Sequence, residues 1–258
     1  MVERRHLVVG MASLPFAAFI SGALAPAFSQ TGATLDGDTL ATADGDLIIH
    51  PVSHASLLLG WKDQVIYVDP VGGAAAYEGL PAATAILITH GHGDHFDVPT
   101  LEAIAGSAPI ITTKEVFDKL PEALKANAKA LANGDKDTLV DIPVEAIPAQ
   151  NTTAERMQYH PPGVGNGYLL SFGDKTVYVA GDTEPTPEML ALTNIAVAFL
   201  PMNLPYTMTV EQAAEAVNTF KPAMVYPYHY KGSDVDAFKA AVGADTEVRM
   251  GEWYPAGA

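Results

Sequence analysis

Cysteine is absent from the 258 residues, and with it go disulfides, thiolate metal ligands and thiol nucleophiles. Basic side chains are few: 14 Lys and Arg stand against 30 Asp and Glu, a formal net charge of −16. A nucleic-acid backbone is held largely by Lys and Arg that displace its counterions, so this balance argues against a nucleic-acid partner. Long apolar runs are missing after residue 27, which leaves no later segment fit to cross a bilayer. What is there is His, Asp, Glu, Ser and Tyr for chemistry, and a hydrophobic fraction of 48% for a core. The 19 Pro and 22 Gly are spread along the chain, which excludes both a disordered tail and a long-helix protein. A layered α/β enzyme of this length can be one domain.

At the N-terminus, Met1 to Arg5 is short and polar, Leu7 to Leu24 is largely apolar, and Ala25-Pro26-Ala27 offers small residues to a signal peptidase. Residues 1–27 therefore read as an export signal, with the mature protein periplasmic or secreted. Arg4-Arg5 resembles a twin-arginine signal, although Glu3 stands where Ser or Thr is usual. A membrane is expected as a partner only where this segment stays uncleaved, and Ser13, Pro15, Ser21 and Gly22 dilute it as a span. Cleavage removes Glu3, Arg4 and Arg5 and leaves 12 basic against 29 acidic side chains, a net charge of −17. Residues 28–45 are small, polar and acidic and read as a linker; residues 46–258 read as the folded domain.

Within that domain, short apolar runs alternate with turns. Leu47-Ile48-Ile49, Ala55 to Leu59 and Gln64 to Val68 predict strands, the last two joined by a hairpin. Ala85-Ile86-Leu87-Ile88 has the all-apolar pattern of a strand buried on both faces. Pro99 to Ala105 and Lys114 to Ala132 carry helical spacing, broken near Pro121, with a strand at Ile110-Ile111 between them. The plan then repeats. Leu139 to Ile147 is strand-like, Gly167 to Phe172 and Lys175 to Ala180 form a hairpin through Gly173-Asp174, and Ile195 to Leu200 and Ala223 to Tyr226 are buried strands. A helix from Val210 to Phe220 is introduced by Thr209. Two blocks of strands followed by helices suggest an internally duplicated α/β sandwich, two sheets with helices outside.

The buried run at 85–88 delivers the chain into Thr89-His90-Gly91-His92-Gly93-Asp94-His95. His160, Asp182 and His229 each follow a strand or sit in a nearby loop. Five of the eight His fall in this set. Alternating Gly would let the loop turn tightly, so that imidazoles and a carboxylate converge. Imidazole and carboxylate suit Zn(II), and also Mn(II) and Fe(II). A solitary His is more often a satisfied core or surface residue, but three in six residues beside an Asp are poorly explained that way.

The segment Thr89 to His95 matches the T-H-x-H-x-D-H signature of the metallo-β-lactamase superfamily, which the chain resembles from about Asp46 to its C-terminus. The resemblance implies the four-layer αββα sandwich of that fold and a metal-dependent hydrolase acting on a small molecule. Val52 to Leu59, Tyr67-Val68-Asp69-Pro70, Leu200-Pro201 and Tyr206-Thr207-Met208 are similar to the branch typified by L-ascorbate 6-phosphate lactonase and N-acyl-phosphatidylethanolamine-hydrolysing phospholipase D. That branch implies an ester, lactone or phosphodiester substrate. The best-known β-lactamases place Cys where this chain has Asp182, which argues against antibiotic hydrolysis.

By resemblance, His90, His92 and His160 hold a first divalent metal ion and Asp94, His95 and His229 a second. Asp182 bridges the two, and a hydroxide between the ions is the nucleophile, oriented by Asp94 as catalytic acid/base. Asp69 is implied as the acceptor behind a ligand imidazole, and Asp-Pro is equally a turn starter. His54 is implied near the site, with a structural hydrogen bond an equal reading. Asn203, Tyr206 and Met208 fall where the branch shapes its substrate pocket. Two further readings stay open: iron-dependent oxygen chemistry on sulfur compounds in the same fold, resembling the sulfur dioxygenases, and a metal-binding member without turnover. Substrate, native metal and oligomeric state are not specified by the sequence.

Overall fold

The computed structural model describes residues 34–254 together with Met1. Apart from Met1, the expected export signal, residues 1–27, lies outside the described residues. Four strands open the fold as an antiparallel meander: β1 (Asp38–Thr42), β2 (Gly45–Ser53), β3 (Ser56–Trp61) and β4 (Gln64–Val68). Strand β1 occupies part of the stretch read as linker. Its cause is turn chemistry: Ala43-Asp44 close a two-residue hairpin, Gly45 takes a φ of 122°, and Leu40 pairs with Leu47 across it.

Three parallel strands extend this sheet, β5 (Ala85–Leu87), β6 (Ile110–Thr112) and β7 (Ala128–Ala130), with α1 (Val98–Ile104), α2 (Lys114–Lys119) and α3 (Glu122–Lys125) in the crossovers. The helical spacing expected over 114–132 is interrupted at Pro121 and stops at Lys125. Ala128-Lys129-Ala130 is a strand instead, because the open edge of β6 satisfies its backbone, and pairing overrides the helix preference of Ala.

The second sheet repeats the plan with β8 (Lys136–Leu139), β9 (Ile142–Ala149), β10 (Gly165–Phe172), β11 (Lys175–Val179), β12 (Ile195–Pro201), β13 (Met224–Tyr228) and β14 (Glu247–Val248). Its helices are α4 (Pro187–Leu190), α5 (Val210–Phe220) and α6 (Val235–Ala241). The single strand expected over 139–147 is a hairpin. Val140 and Asp141 both adopt positive φ, 43° and 68°, the pair required by a two-residue turn that follows the strand twist. Among the described residues each sheet has seven strands, the first four antiparallel and the last three added in parallel, so the internal duplication is explicit.

Strand alternation sorts the core. Along β13, Met224, Tyr226 and Tyr228 lie between the sheets with Val68, Phe172, Phe199 and Trp253, while Val225 faces the helices beside Val217 and Phe238. A third cluster, with Ile86, Leu101 and Val116, lies under α1 and α2. The order is therefore helix, sheet, sheet, helix, as expected of the αββα sandwich. Helix α5 starts in a capping box in which Thr209 and Gln212 exchange side chain to backbone hydrogen bonds, and it buries Ala213, Ala214, Ala216, Val217 and Phe220. Such a cap contributes about 1 kcal/mol. No helix among the described residues is long and apolar enough to cross a membrane.

Candidate metal centre

Within each sheet the parallel strands end on the same side, and functional side chains leave them there. Asp69 follows β4, Thr89 to His95 follow β5, Asp182 follows β11 and His229 follows β13, while His160 comes from the long loop between β9 and β10. The His-Gly-His loop is closed by His95 and Phe96, whose N–H groups both donate to the His92 carbonyl. Gly91 and Gly93 are not in the left-handed region, so the loop does not turn through glycine as expected. A Cβ on Gly91 would instead lie 3.0 Å from the Glu115 carboxylate, so its smallness admits helix α2 to the loop, whereas Gly93 faces open space. The left-handed residues at the centre are His54 (φ 47°), Asp69 (φ 44°) and His229 (φ 47°), each strained by an amount of order 1–3 kcal/mol.

All seven expected ligands come together. His90 Nε2, His92 Nδ1, His160 Nε2 and a carboxylate oxygen of Asp182 lie within 4.8 Å of one another. In that group His92 Nδ1 is 3.1 Å from His90 Nε2 and 3.2 Å from His160 Nε2, and Asp182 Oδ2 is 3.3 Å from His160. The expected second set divides into two groups that share His229. One is His95, Asp182 and His229; the other is Asp94, His229 and His54. Asp182 Oδ1 is 3.2 Å from His95 Nε2, and its Oδ2 is 3.2 Å from His229 Nε2. His90, His95, His160, Asp182 and His229 are all at most 5% exposed, whereas His92 and Asp94 face solvent and mark the open side.

Hydrogen bonds behind the imidazoles aim them. Asp69, fully buried, accepts from His95 Nδ1 at 2.7 Å, from the Thr89 hydroxyl at 2.6 Å and from the Thr89 N–H at 2.7 Å. His160 Nδ1 donates to the Tyr206 carbonyl at 3.1 Å, and His90 Nδ1 lies 3.0 Å from the Thr89 hydroxyl. With the rear nitrogens of His90, His95 and His160 engaged, Nε2 is the free atom of these three rings.

Burial holds His90 and His92 below the usual histidine range. For His95 burial acts in the same sense, but the carboxylates of Asp182 and Asp69 overcome it and push the ring well above the usual histidine range. Burial would raise Asp182, yet His229, His95 and His160 keep it well below the carboxylate range; Asp94 is depressed likewise by His229 and His54. The donor set fits divalent cations. His95 Nε2 and Asp182 Oδ1 are buried and make no hydrogen bond among the described residues despite their 3.2 Å separation, as for atoms aimed at a common third atom.

One buried cluster was not foreseen. Glu184, fully buried, accepts from the N–H groups of Thr152 (2.7 Å) and Thr153 (2.6 Å), from the Thr153 hydroxyl (2.8 Å) and from Gln212 (3.3 Å), and is ion-paired with Arg156. Asn151 donates to the carbonyls of Arg156 (2.9 Å) and Tyr206 (2.6 Å), and its N–H donates to the His160 carbonyl (2.8 Å). The loop bearing His160 is thereby tied to the segment bearing Asp182. Adjacency of Glu184 to Asp182 was the available signal, but its partners are some thirty residues away.

A cavity of about 670 Å³ opens beside His90, His92 and His160, walled by Lys114, Leu131, Tyr159 and Val164. Asn203, Tyr206 and Met208, expected to shape the substrate pocket, are not among the residues that line this cavity. Met208 is fully buried, because it precedes the cap of α5 and packs in the same core cluster as Ala213, as a hydrophobic staple does. The Asn203 amide donates to the Lys231 carbonyl. Tyr206 is half exposed; its ring meets Tyr159 at the cavity wall, 5.1 Å between centroids, and its carbonyl accepts from His160. Tyr228, the residue before His229, is buried between the sheets.

Comparison with known proteins gives a consistent pattern. The sequence profile of the β-lactamase superfamily domain matches residues 64–230. A UPF0173 metal-dependent hydrolase of Pyrococcus horikoshii is 29% identical over 212 residues, spanning 76% of this chain and 92% of its own. A crystal structure from Parabacteroides distasonis, described as that of a metal-dependent hydrolase, is 41% identical and has a TM-score of 0.78, covering 86% of this chain and 100% of its own. A metallo hydrolase of Ignicoccus hospitalis shares the fold at 23% identity and a TM-score of 0.66, over 79% of this chain and 94% of its own.

Proposed function

The chain belongs to the β-lactamase superfamily, and from that premise we propose that it is a metal-dependent hydrolase that cleaves an ester, lactone or phosphodiester bond at a binuclear centre. The observation that carries this reading is Asp182: one nearly buried carboxylate lies 3.2–3.3 Å from His95, His229 and His160, and so addresses both groups of imidazoles. His90, His92 and His160 would hold one ion, Asp94, His95 and His229 the other, with Asp182 between. Zn(II) suits these donors best, and Mn(II) or Fe(II) would fit the same set.

When bound, such ions supply Lewis acidity for the substrate oxygen and bring the pKa of a water towards neutrality. The chain supplies the rest. Asp94 is open to solvent and within 3.3 Å of both His54 and His229, which places it to take a proton from water and return it to the leaving group. Asp69 and the Tyr206 carbonyl fix the rings of His95 and His160. The burial of those rings keeps bulk water behind them excluded, and the cavity walled by Leu131, Tyr159 and Val164 receives the acyl or phosphoryl side of the substrate. Likeness to the lactonase and phospholipase branch, through Val52 to Leu59 and Tyr67 to Pro70, supports the substrate class. The N-terminal pattern supports a periplasmic or secreted site of action.

The test is metal analysis of the purified protein followed by an ester, lactone and phosphodiester panel. Two ions per chain, turnover lost on chelation and regained with Zn(II), and abolition of turnover by Asp94→Asn with the circular dichroism unchanged are expected. A fully active His92→Ala enzyme would sink the reading.

A further inference from the structure

His54 admits two roles. Its Nε2 joins Asp94 and His229 in a group whose ligand atoms lie within 4.8 Å, as a metal ligand's would; it also lies 3.3 Å from Asp94 Oδ2, as a hydrogen-bond donor's would. The two roles need opposite tautomers. A neutral imidazole that binds metal through Nε2 carries its proton on Nδ1, whereas a donor through Nε2 leaves Nδ1 bare.

The C-terminal segment decides between them. His54 Nδ1 is 2.9 Å from the hydroxyl of Tyr254. That hydroxyl already accepts the N–H groups of Tyr230 and Lys231, both at 3.1 Å, which fill its two lone pairs. Its one proton therefore points at His54 Nδ1, which must be an acceptor, and the imidazole proton sits on Nε2, facing Asp94. The geometry is held from several sides. The His54 N–H donates to the Trp253 carbonyl at 2.9 Å, the His54 carbonyl accepts from the His229 N–H at 2.9 Å, and Trp253 is fully buried between the sheets beside Tyr228. The Tyr254 ring is packed edge-on against both Tyr230 and His54.

We infer that Tyr254 fixes the tautomer of His54 so that His54 donates to Asp94 and binds no metal, which makes both of them positioning residues for the reaction. This rests on the hydrolase reading for the role of Asp94, and not for the tautomer itself. The chain thus returns, through its last described residue, to the turn between β2 and β3, to orient the group proposed to move the proton.

The experiment is imidazole ¹⁵N spectroscopy of the full chain, labelled at His and loaded with Zn(II), with His54 assigned by the resonance missing in His54→Gln. The Nε2–H pattern is expected for His54 in the wild type, a mixture of tautomers in Tyr254→Phe, and an unchanged zinc count in both variants. On a substrate from the panel, Tyr254→Phe should lower kcat by about 10-fold with KM held, the range expected for partners behind an active group. An Nδ1–H pattern in the wild type, or loss of one zinc in His54→Gln, would make His54 a ligand and overturn the inference. So would a Tyr254→Phe spectrum identical to the wild type. If no substrate turns over, the spectrum and zinc count still decide the tautomer, so this failure is distinct from failure of the hydrolase reading.

Discussion

Replacing Glu184 by Ala should loosen the loop that presents His160. The carboxylate is fully buried and takes hydrogen bonds from Thr152, Thr153 and Gln212 besides its ion pair with Arg156. Removing it leaves the Arg156 guanidinium, 15% exposed, without its counter-charge, and two backbone N–H groups without an acceptor. Breaking one partner of a buried pair costs about 3–5 kcal/mol, and each orphaned donor about 1–3 kcal/mol, but these losses overlap in one cavity and do not add. A loss of about 3–5 kcal/mol is therefore expected by urea denaturation of the metal-free protein, equivalent to ~6–20 °C in melting temperature for a domain this size. Arg156→Met provides the control. In a double-mutant cycle the pair should show a coupling of at least ~1 kcal/mol, because the double variant leaves no unpaired charge. Zinc affinity should fall as well, since the loop from Asn151 to His160 loses its anchor. A Glu184→Ala protein within ~1 kcal/mol of the wild type would refute the view that this carboxylate holds the loop.

Asp69→Asn should weaken Zn(II) binding by about 10–100-fold in a chelator competition, because an amide N–H facing His95 Nδ1 would drive that ring's proton to Nε2, the atom aimed at the metal; unchanged affinity would count against the arrangement. Gly167→Ala should cost about 1–3 kcal/mol in thermal unfolding, since its Cβ would stand 2.9 Å from the Ala180 carbonyl oxygen and 3.2 Å from that of Val179, and strand backbone yields poorly; a neutral result would contradict that packing. Chelation should lower the melting temperature in a zinc-dependent way, with about 2.7 kcal/mol of stabilisation regained when free Zn(II) is a hundredfold above its dissociation constant; a midpoint indifferent to zinc would refute selective binding to the folded state.

What could be read from the sequence was what is encoded locally. The apolar run Ala85 to Ile88 gave a buried strand, the Gly173-Asp174 turn gave the hairpin of β10 and β11, and the His-rich loop with His160, Asp182 and His229 gave a set that the fold brings together. What was misread depends on partners distant in sequence. Ala128-Lys129-Ala130 looks helical until the edge of β6 is present to pair with it. Met208 resembles a pocket residue until the cap of α5 turns it into the core. Strand β1 hides in a polar stretch because only its turn, and not its composition, marks it. Tyr254 carries no local signal at all, since its relation to His54 spans 200 residues.

The duplicated plan has a consequence for how the molecule comes apart. His90, His92, Asp94 and His95 belong to the first sheet and its loops, while His160, Asp182 and His229 belong to the second. An ion held by both sets gains its binding free energy only when both halves are folded and docked. Metal would then act as a thermodynamic coupling between two otherwise similar repeats, raising the cooperativity of unfolding. Without it, the loop edge of the sandwich is closed by side-chain packing, by the strained contact of His54 with His229 and by a few hydrogen bonds between the sheets, such as Asn166 N–H to the Thr89 carbonyl at 2.9 Å and the Tyr168 hydroxyl to the Ile88 carbonyl at 2.9 Å. The order of events on losing metal would be a parting of the two sheets at that edge before either sheet unravels.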